Sequence, residues 1–267
     1  DTAGTLEAVI GEKDEDRNIP GFVVPSPYFD LAVTAGLLRA VNPGRQYRQR
    51  VTFGSGYVAH SIGECFSENL EDYPPLLPVL FDEPADHFRH LRLHNGVIWR
   101  WNRPLLGFDR DGTPHIRIEH RPLPAGPTLQ DMLANACFFY GLAQSLMEQI
   151  KEGQTLPAFQ QTHDNFYLAA RNGLHTQVNW LGENLPMQRL LEERLLPMAA
   201  IGLDSLGVDH KDYHPLLGII ADRNASGRTG AHWQRHHLEH VNGDLSALTR
   251  DYLHRQLEGH PVHLWNP

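Results

Sequence analysis

The fold class is decided by the stretch Pro114-His115-Ile116-Arg117-Ile118-Glu119-His120-Arg121, which has the pattern of a strand. An earlier run, Val97–Arg103, also has the pattern of a strand. The residues Asp109–Gly112 between the two runs are typical of a turn. Side chains alternate along a strand, so one face carries Arg117, Glu119 and Arg121 and the other carries Ile116 and Ile118. A carboxylate between two guanidinium groups can hold a divalent cation and a polyphosphate together.

The surrounding sequence predicts an antiparallel sheet followed by a helical half. The residues His87–His94 alternate and predict another strand, and Asn95-Gly96 is a hairpin-turn signal. Together with the two runs above, they predict a three-strand meander. Apolar residues at helical spacing then predict a long helix over 129–150, opened by a capping-box-like Thr128–Asp131. We interpret its apolar stripe as core that packs on the sheet.

The remainder reads as further helices separated by glycine and proline. They are expected at Ala158–Asn172, Met187–Leu206, His214–Ala225, Ala231–His240 and Leu245–Leu257. The sequence therefore predicts an α+β fold, with the sheet within about 47–125 and helices within about 126–267. Residues 1–46 contain a charge run and repeated prolines, and predict a poorly defined N-terminal arm.

Composition excludes several classes of protein. The 267 residues carry a formal charge of -9, which argues against a general nucleic-acid binder, although a local basic site stays open. No apolar run approaches the length needed to span a bilayer, so no membrane partner is expected. The two cysteines, Cys65 and Cys137, are typical of reduced thiols in a cytoplasmic protein. Cys137 lies within the long predicted helix and is interpreted as an inert, packed thiol.

The predicted strands supply the candidate site. On the second strand, alternation places Arg100 and Asn102 on one face and Arg103 on the other, beside Trp99 and Trp101. If the strands are neighbours, guanidinium groups form a floor that contains one carboxylate, which suits Mg²⁺ together with phosphate oxygens. A solvated sheet face with cross-strand ion pairs explains the same pattern equally well.

Three further groups are candidates for ligand binding. His232 and His236, with His240, share one helix face and could bind zinc, but a solvated or partly buried face is the better interpretation. The looser group His87, His90 and His94 is interpreted in the same way. Arg228 lies at a glycine-flanked helix start, where anion binding and simple capping are equally good explanations.

In combination, several segments resemble the glutamate–cysteine ligase family, in its branch of bacterial carboxylate–amine ligases. The resemblance runs from about Arg50 to the C-terminus. Its segments are His94–Pro104, Arg117–Arg121 with Pro124–Pro127, Ala134–Ala136 with Phe139–Leu142, Asp164–Tyr167 with Ala170–Leu174, and Arg228–Ala231 with Gln234. Family members are longer, so this chain resembles a C-terminal portion.

The resemblance implies a glutamine-synthetase-like catalytic sheet and an ATP- and Mg-dependent ligation through an acyl phosphate. The substrates would be a carboxylate, such as glutamate, and cysteine or another amine, as in cytoplasmic glutathione biosynthesis. It implies that Glu119 binds metal and that Arg121 and Arg103 meet phosphate or substrate carboxylate. Residues Arg117, Asn102, Arg100 and Arg228 are candidate nucleotide-binding neighbours. The chain could also form a homo-oligomer.

Two other functions stay open at this point. The chain could be a non-catalytic module that binds a nucleotide or an amino acid, which a lone carboxylate around position 119 would favour. It could also be a histidine-dependent metal hydrolase, which zinc at His232 and His236 would favour.

Overall fold

The computed structural model describes residues 51–123 and 126–266. The chain divides into two compact units, one that ends at Pro122 and one that continues from Leu123 to the C-terminus. The expected arm at 1–46 lies outside the described residues. Both units combine helices with small sheets, and the C-terminal half is helical as predicted. Within the described ranges, none of the helices has the length and apolar character that crossing a membrane requires.

The first unit contains two short strand pairs and two helices. Its helices are α1 (Gly63–Asp72) and α2 (Arg89–Gly96), with a 3-10 turn at Ala85–His87. Strand β1 (Val51–Thr52) pairs in parallel with β2 (Trp99–Arg100), and β3 (Asn102–Phe108) pairs antiparallel with β4 (Pro114–His120). The turn after β3 is confirmed, with the Asp109 N–H bonded to the Thr113 carbonyl and Gly112 at φ 86°.

The predicted strand at His87–His94 is wrong, because these residues belong to the 3-10 turn and to α2. The same alternating sequence also places His90 and His94 four residues apart, on one side of a helix. There the His90 ring accepts the Phe81 N–H, and Nε2 of His94 bonds to the Tyr73 carbonyl. Asn95 and Gly96 end α2, so they make no hairpin and the expected meander is reduced to β3 and β4.

A buried polar network joins the elements of this unit. The amide of Asn69 donates to Asn95 over 3.0 Å, and the amide of Asn95 donates to the Pro104 carbonyl over 2.8 Å. Arg100 donates to Asn69 over 2.9 Å and lies 3.1 Å from the Glu68 carboxylate. Because buried polar groups are costly without partners, this network fixes how α1, α2 and β3 pack.

The second unit is built around one long helix, α3 (Leu129–Lys151). The predicted cap is confirmed, since the Thr128 hydroxyl accepts the Asp131 N–H and donates to the Asp131 carboxylate. The other elements are α4 (Phe159–Asn172), a 3-10 turn (Gly173–His175), β5 (Gln177–Trp180), β6 (Glu183–Pro186), α5 (Met187–Leu190), a π-helical turn (Leu191–Leu195), α6 (Leu196–Ser205), α7 (His210–Ser226), α8 (Gly230–His240), α9 (Leu245–Glu258) and a last 3-10 turn (Val262–Leu264).

The face that α3 buries differs from the predicted one. Its buried positions are polar or small, namely Asp131, Ala134, Gly141 and Ser145. They pack on α6 and α7, whereas most of the expected apolar stripe is exposed, including Leu129, Leu133, Tyr140, Met147 and Ile150. A Cβ atom on Gly202 of α6 would overlap the Gly141 carbonyl, so close backbone approach selects the small residues.

The other predicted helices are confirmed with two differences: α7 starts four residues earlier than expected, and the helix predicted at Met187–Leu206 is divided into α5, the π-helical turn and α6. The sequence did not predict the antiparallel pair β5–β6, in which Val178 is opposite Leu185. Its turn residues, Leu181 and Gly182, both have positive φ. The last 3-10 turn contributes Val262 to a hydrophobic cluster that also contains Trp233, Leu248, Tyr252 and Trp265.

Candidate functional site

The β3–β4 register brings Arg103 directly opposite Glu119. Directly opposite residues of an antiparallel pair point to the same face. The Arg103 guanidinium donates from Nε over 3.0 Å and from a terminal nitrogen over 2.8 Å, both to Oε2 of Glu119. Its other terminal nitrogen donates to the Gly96 carbonyl over 3.1 Å. Arg103 is therefore held on two sides, and its side chain is only 12% exposed.

Arg121 reaches the same carboxylate from the end of β4. Its backbone N–H donates to the Trp101 carbonyl over 2.8 Å, which continues the strand pairing past His120. Its Nε lies 3.9 Å from Oε2 of Glu119. The guanidinium carbon lies 3.8 Å from the centroid of the Trp99 ring, which is a cation–π contact.

Together Arg103, Glu119 and Arg121 form what we call the arginine pair cluster. The cluster brings two guanidinium groups to one carboxylate. Glu119 is 38% exposed, so solvent reaches the cluster from the carboxylate side. Guanidinium groups bind phosphate and carboxylate oxygens through planar, paired hydrogen bonds. The arrangement can therefore bind an anion from solution.

Arg117 lies on the same face of β4, two residues before Glu119 and opposite Leu105. Its side chain is exposed and has no hydrogen bond or ion pair within residues 51–123 and 126–266. His115 continues this face opposite Gly107, where its ring fills the space that a Cβ would occupy. The predicted face of Arg117, Glu119 and Arg121 is thus present.

Two predicted binding residues lie elsewhere in this unit. Arg100 is buried in the network with Asn69 and Glu68, so it serves packing and is not available to a ligand. Asn102 is opposite His120 and bonds to its Nδ1 over 2.6 Å, on the hairpin face turned away from Glu119. Burial lowers the pKa of His120. The strand predicted over Val97–Arg103 is divided at Trp101. Before this residue the chain pairs with β1, and after it the chain pairs with β4.

Arg228 belongs to the second unit. Its side chain is exposed and donates over 3.4 Å to the His263 carbonyl. The start of α8 is capped by the Thr229 hydroxyl, which accepts the His232 N–H. This arrangement matches the capping interpretation of the Arg228–Gly230 turn.

The described residues do not fit a resident magnesium site at Glu119. Within residues 51–123 and 126–266, His, Cys, Asp and Glu side chains form no group of three or more that could hold a metal ion. Among the described residues, Glu119 pairs with Arg103 and Arg121, which repel a cation. Further ligands would have to come from outside these residues.

The histidine groups also lack the arrangement of a metal site in the described residues. The rings of His232 and His236 stack with centroids 6.1 Å apart. Burial, and then the nearby Arg235 and His236, lower the pKa of His232. In the other group, His87 pairs with Glu83 over 3.3 Å, while His90 and His94 bond to backbone atoms. The solvated or structural interpretation therefore fits both groups.

Two contributors to the site were missed by sequence reasoning. Trp99 supports Arg121, and the Gly96 carbonyl fixes Arg103. The first was detectable, since Trp99 is close to two arginines in an aromatic-basic run. The second depends on α2, which was predicted as a strand. Both cysteines are free, and burial raises the pKa of each thiol, which at Cys137 agrees with the expected inert thiol.

Comparison of the chain with protein-family models, with curated proteins and with solved structures gives no match. The resemblance to glutamate–cysteine ligases therefore stays a prediction from the residues.

Proposed function

We propose that this chain carries the phosphate-handling hairpin of an ATP-dependent carboxylate–amine ligase related to glutamate–cysteine ligases. One observation carries the proposal: Arg103 and Arg121 converge on one position, now taken by the Glu119 carboxylate, at a solvent-accessible hairpin face. Two guanidinium groups at one position suit a phosphate group better than they suit a metal ion.

The proposed reaction assigns charge stabilisation to the two arginines. A substrate carboxylate, glutamate in the first instance, attacks the γ-phosphorus of ATP, the bond to ADP breaks, and an acyl phosphate forms. An amine, cysteine or another, then attacks the acyl carbon and expels phosphate. Negative charge on the transferred phosphoryl oxygens is the feature that Arg103 and Arg121 would stabilise. Their fixed positions mean that little reorganisation is needed when the phosphate arrives.

Magnesium enters this proposal only as a requirement of the complete enzyme. The described residues do not fit a site for it, and no step is assigned to it. If the chain is the C-terminal portion of a longer ligase, the remaining acidic ligands belong to the rest of that protein.

A second candidate function is a non-catalytic module that binds a nucleotide or an amino acid. Two observations favour it. The arginine pair cluster contains a single carboxylate, and within residues 51–123 and 126–266 no group of three or more His, Cys, Asp or Glu side chains could hold a metal ion. Both candidates require the arginines to bind an anion, and they differ in turnover.

The deciding experiment is release of phosphate from ATP by the complete gene product, with a panel of amino acids and amines. The ligase proposal predicts release that depends on both substrates and that Arg121→Ala reduces at least about 100-fold. The matched control is Arg189→Ala, at an exposed ion pair on α5, and it should retain full activity. Nucleotide binding without turnover would favour the module, and no binding at all would contradict both.

A further inference from the structure

The Glu119 carboxylate already makes the contacts that a bound anion would make. One oxygen, Oε2, accepts both hydrogen bonds that Arg103 directs to this side and also faces Nε of Arg121. Two N–H groups of one guanidinium converge on a single acidic oxygen, which is a charge-assisted contact that a phosphate oxygen could also accept. Glu119 thus occupies the position that the proposed function gives to a phosphate oxygen.

We propose that Glu119 is an internal counter-ion of the arginine pair, which an incoming phosphate group replaces. This inference rests on the proposed function, because it concerns the anion that Arg103 and Arg121 bind. It reverses the role that the family resemblance implies for Glu119, from a ligand that attracts a cation to a carboxylate that competes with an anion.

The surroundings of Glu119 allow the replacement. Its side chain is half-buried, and its second oxygen, Oε1, has no hydrogen bond within residues 51–123 and 126–266. Arg103 would stay in place when the carboxylate leaves, because it also donates to the Gly96 carbonyl. Arg121 would stay on the ring of Trp99.

Arg117 offers the displaced carboxylate a new partner. It lies on the same face of β4, two residues from Glu119, which is a distance of about 7 Å along a strand. Both side chains are long enough to meet over that distance. The exchange moves Glu119 from Arg103 to Arg117, so the carboxylate remains paired while the phosphate binds.

The test measures binding of tripolyphosphate to the full chain by calorimetry at low ionic strength. Glu119→Gln keeps the shape and removes the competing charge, so the affinity should rise about three- to tenfold. The matched control is Glu193→Gln, which changes the net charge equally at the Arg189–Glu193 pair of the second unit. It should change the affinity less than about twofold, because exposed charges at a distance are screened.

The outcomes separate this inference from the proposed function. If wild type binds tripolyphosphate and Glu119→Gln binds it more weakly or equally, the counter-ion role is wrong and the anion site stands. If neither protein binds, the anion site itself is wrong. If Glu119→Gln does not fold, the same measurement is made on Glu119→Thr, because threonine is favoured in strands. Loss of the fold in both variants would make Glu119 a structural residue and would overturn the inference.

Discussion

The guanidinium carbon of Arg121 lies 3.8 Å from the centroid of the Trp99 ring, which places a charged group against an aromatic face at the edge of the arginine pair cluster. The contact holds the charge close to Glu119 without neutralising it. An anion site gains from such support, because an aromatic face can orient a guanidinium without using its N–H groups.

Replacement of Trp99 should therefore weaken anion binding. Trp99→Leu keeps an apolar side chain and removes the aromatic face, with an expected two- to fivefold loss of tripolyphosphate affinity, equivalent to about 0.5–1 kcal/mol. Calorimetry measures the affinity. Tyr140→Leu, at an exposed aromatic residue of α3, is the control and should bind as wild type does. Equal affinity in both variants would show that the ring does not support the site.

The close contact between α3 and α6 should make Gly202 difficult to replace. A Cβ there would overlap the Gly141 carbonyl, and the helix backbones cannot separate without loss of packing. We expect Gly202→Ala to lower the free energy of unfolding by about 2–4 kcal/mol in urea denaturation.

Gly218 on α7 provides the matched control. A Cβ at this position meets no heavy atom within 4 Å. Gly218→Ala should raise the free energy of unfolding by about 0.5–1 kcal/mol, because alanine loses less backbone entropy in a helix. Similar destabilisation by both substitutions would contradict the packing described for α3 and α6.

The carboxylate of Asp131 should contribute strongly to stability. It is 0% exposed, accepts the Val262 N–H over 3.1 Å, and lies 3.5 Å from the largely buried Arg223 guanidinium. Asp131→Ala leaves that guanidinium without its buried counter-charge, with an expected loss of about 3–5 kcal/mol in the free energy of unfolding. Glu193→Ala breaks the exposed pair with Arg189 and should cost at most about 1 kcal/mol. Equal costs would mean that burial of Asp131 is unimportant.

A carboxylate on α9 should make stability depend on pH under acid conditions. The hydrogen bond from His237, and then the nearby Arg250, hold the pKa of Asp251 below its ordinary value. A depressed pKa stabilises the folded state above the unfolded-state pKa of about 3.9, and this contribution is lost as the pH falls through the lowered value.

The corresponding variant is Asp251→Asn, followed by thermal unfolding between pH 7 and pH 2. Its melting temperature should lie below that of wild type at neutral pH, and the difference should shrink as Asp251 becomes protonated in wild type. A difference that stays constant over the whole range would show that the charge of Asp251 does not stabilise the fold.

Sequence reasoning found the hairpin because charged and apolar residues alternate along β4, which places them on opposite faces of the strand. It failed at His87–His94, where the sequence is compatible with both the strand period and the helix period. In the structure, hydrogen bonds of His90, His94 and Asn95 to other segments stabilise the helix. Such bonds depend on which segments meet in space, and the local pattern does not contain that information.

The face of α3 could not be predicted for a related reason. An apolar stripe predicts burial only when no closer packing is available, and Gly141 with Gly202 permits helix backbones to approach along the other face. Of the candidate site, the sequence correctly grouped Glu119 with Arg121 and Arg103. It misplaced Arg100, because a buried arginine paired with Glu68 has the same local pattern as a ligand-binding one.

The most direct test of the account is tripolyphosphate binding by the double variant Arg103→Ala/Arg121→Ala. The control Arg189→Ala/Arg250→Ala removes two exposed arginines of the second unit and gives the same net charge. We predict that calorimetry shows at least about a 30-fold loss of affinity for the first protein and less than about a threefold loss for the second. Equal losses in the two proteins would mean that binding follows net charge alone, and would contradict an anion site at Arg103 and Arg121.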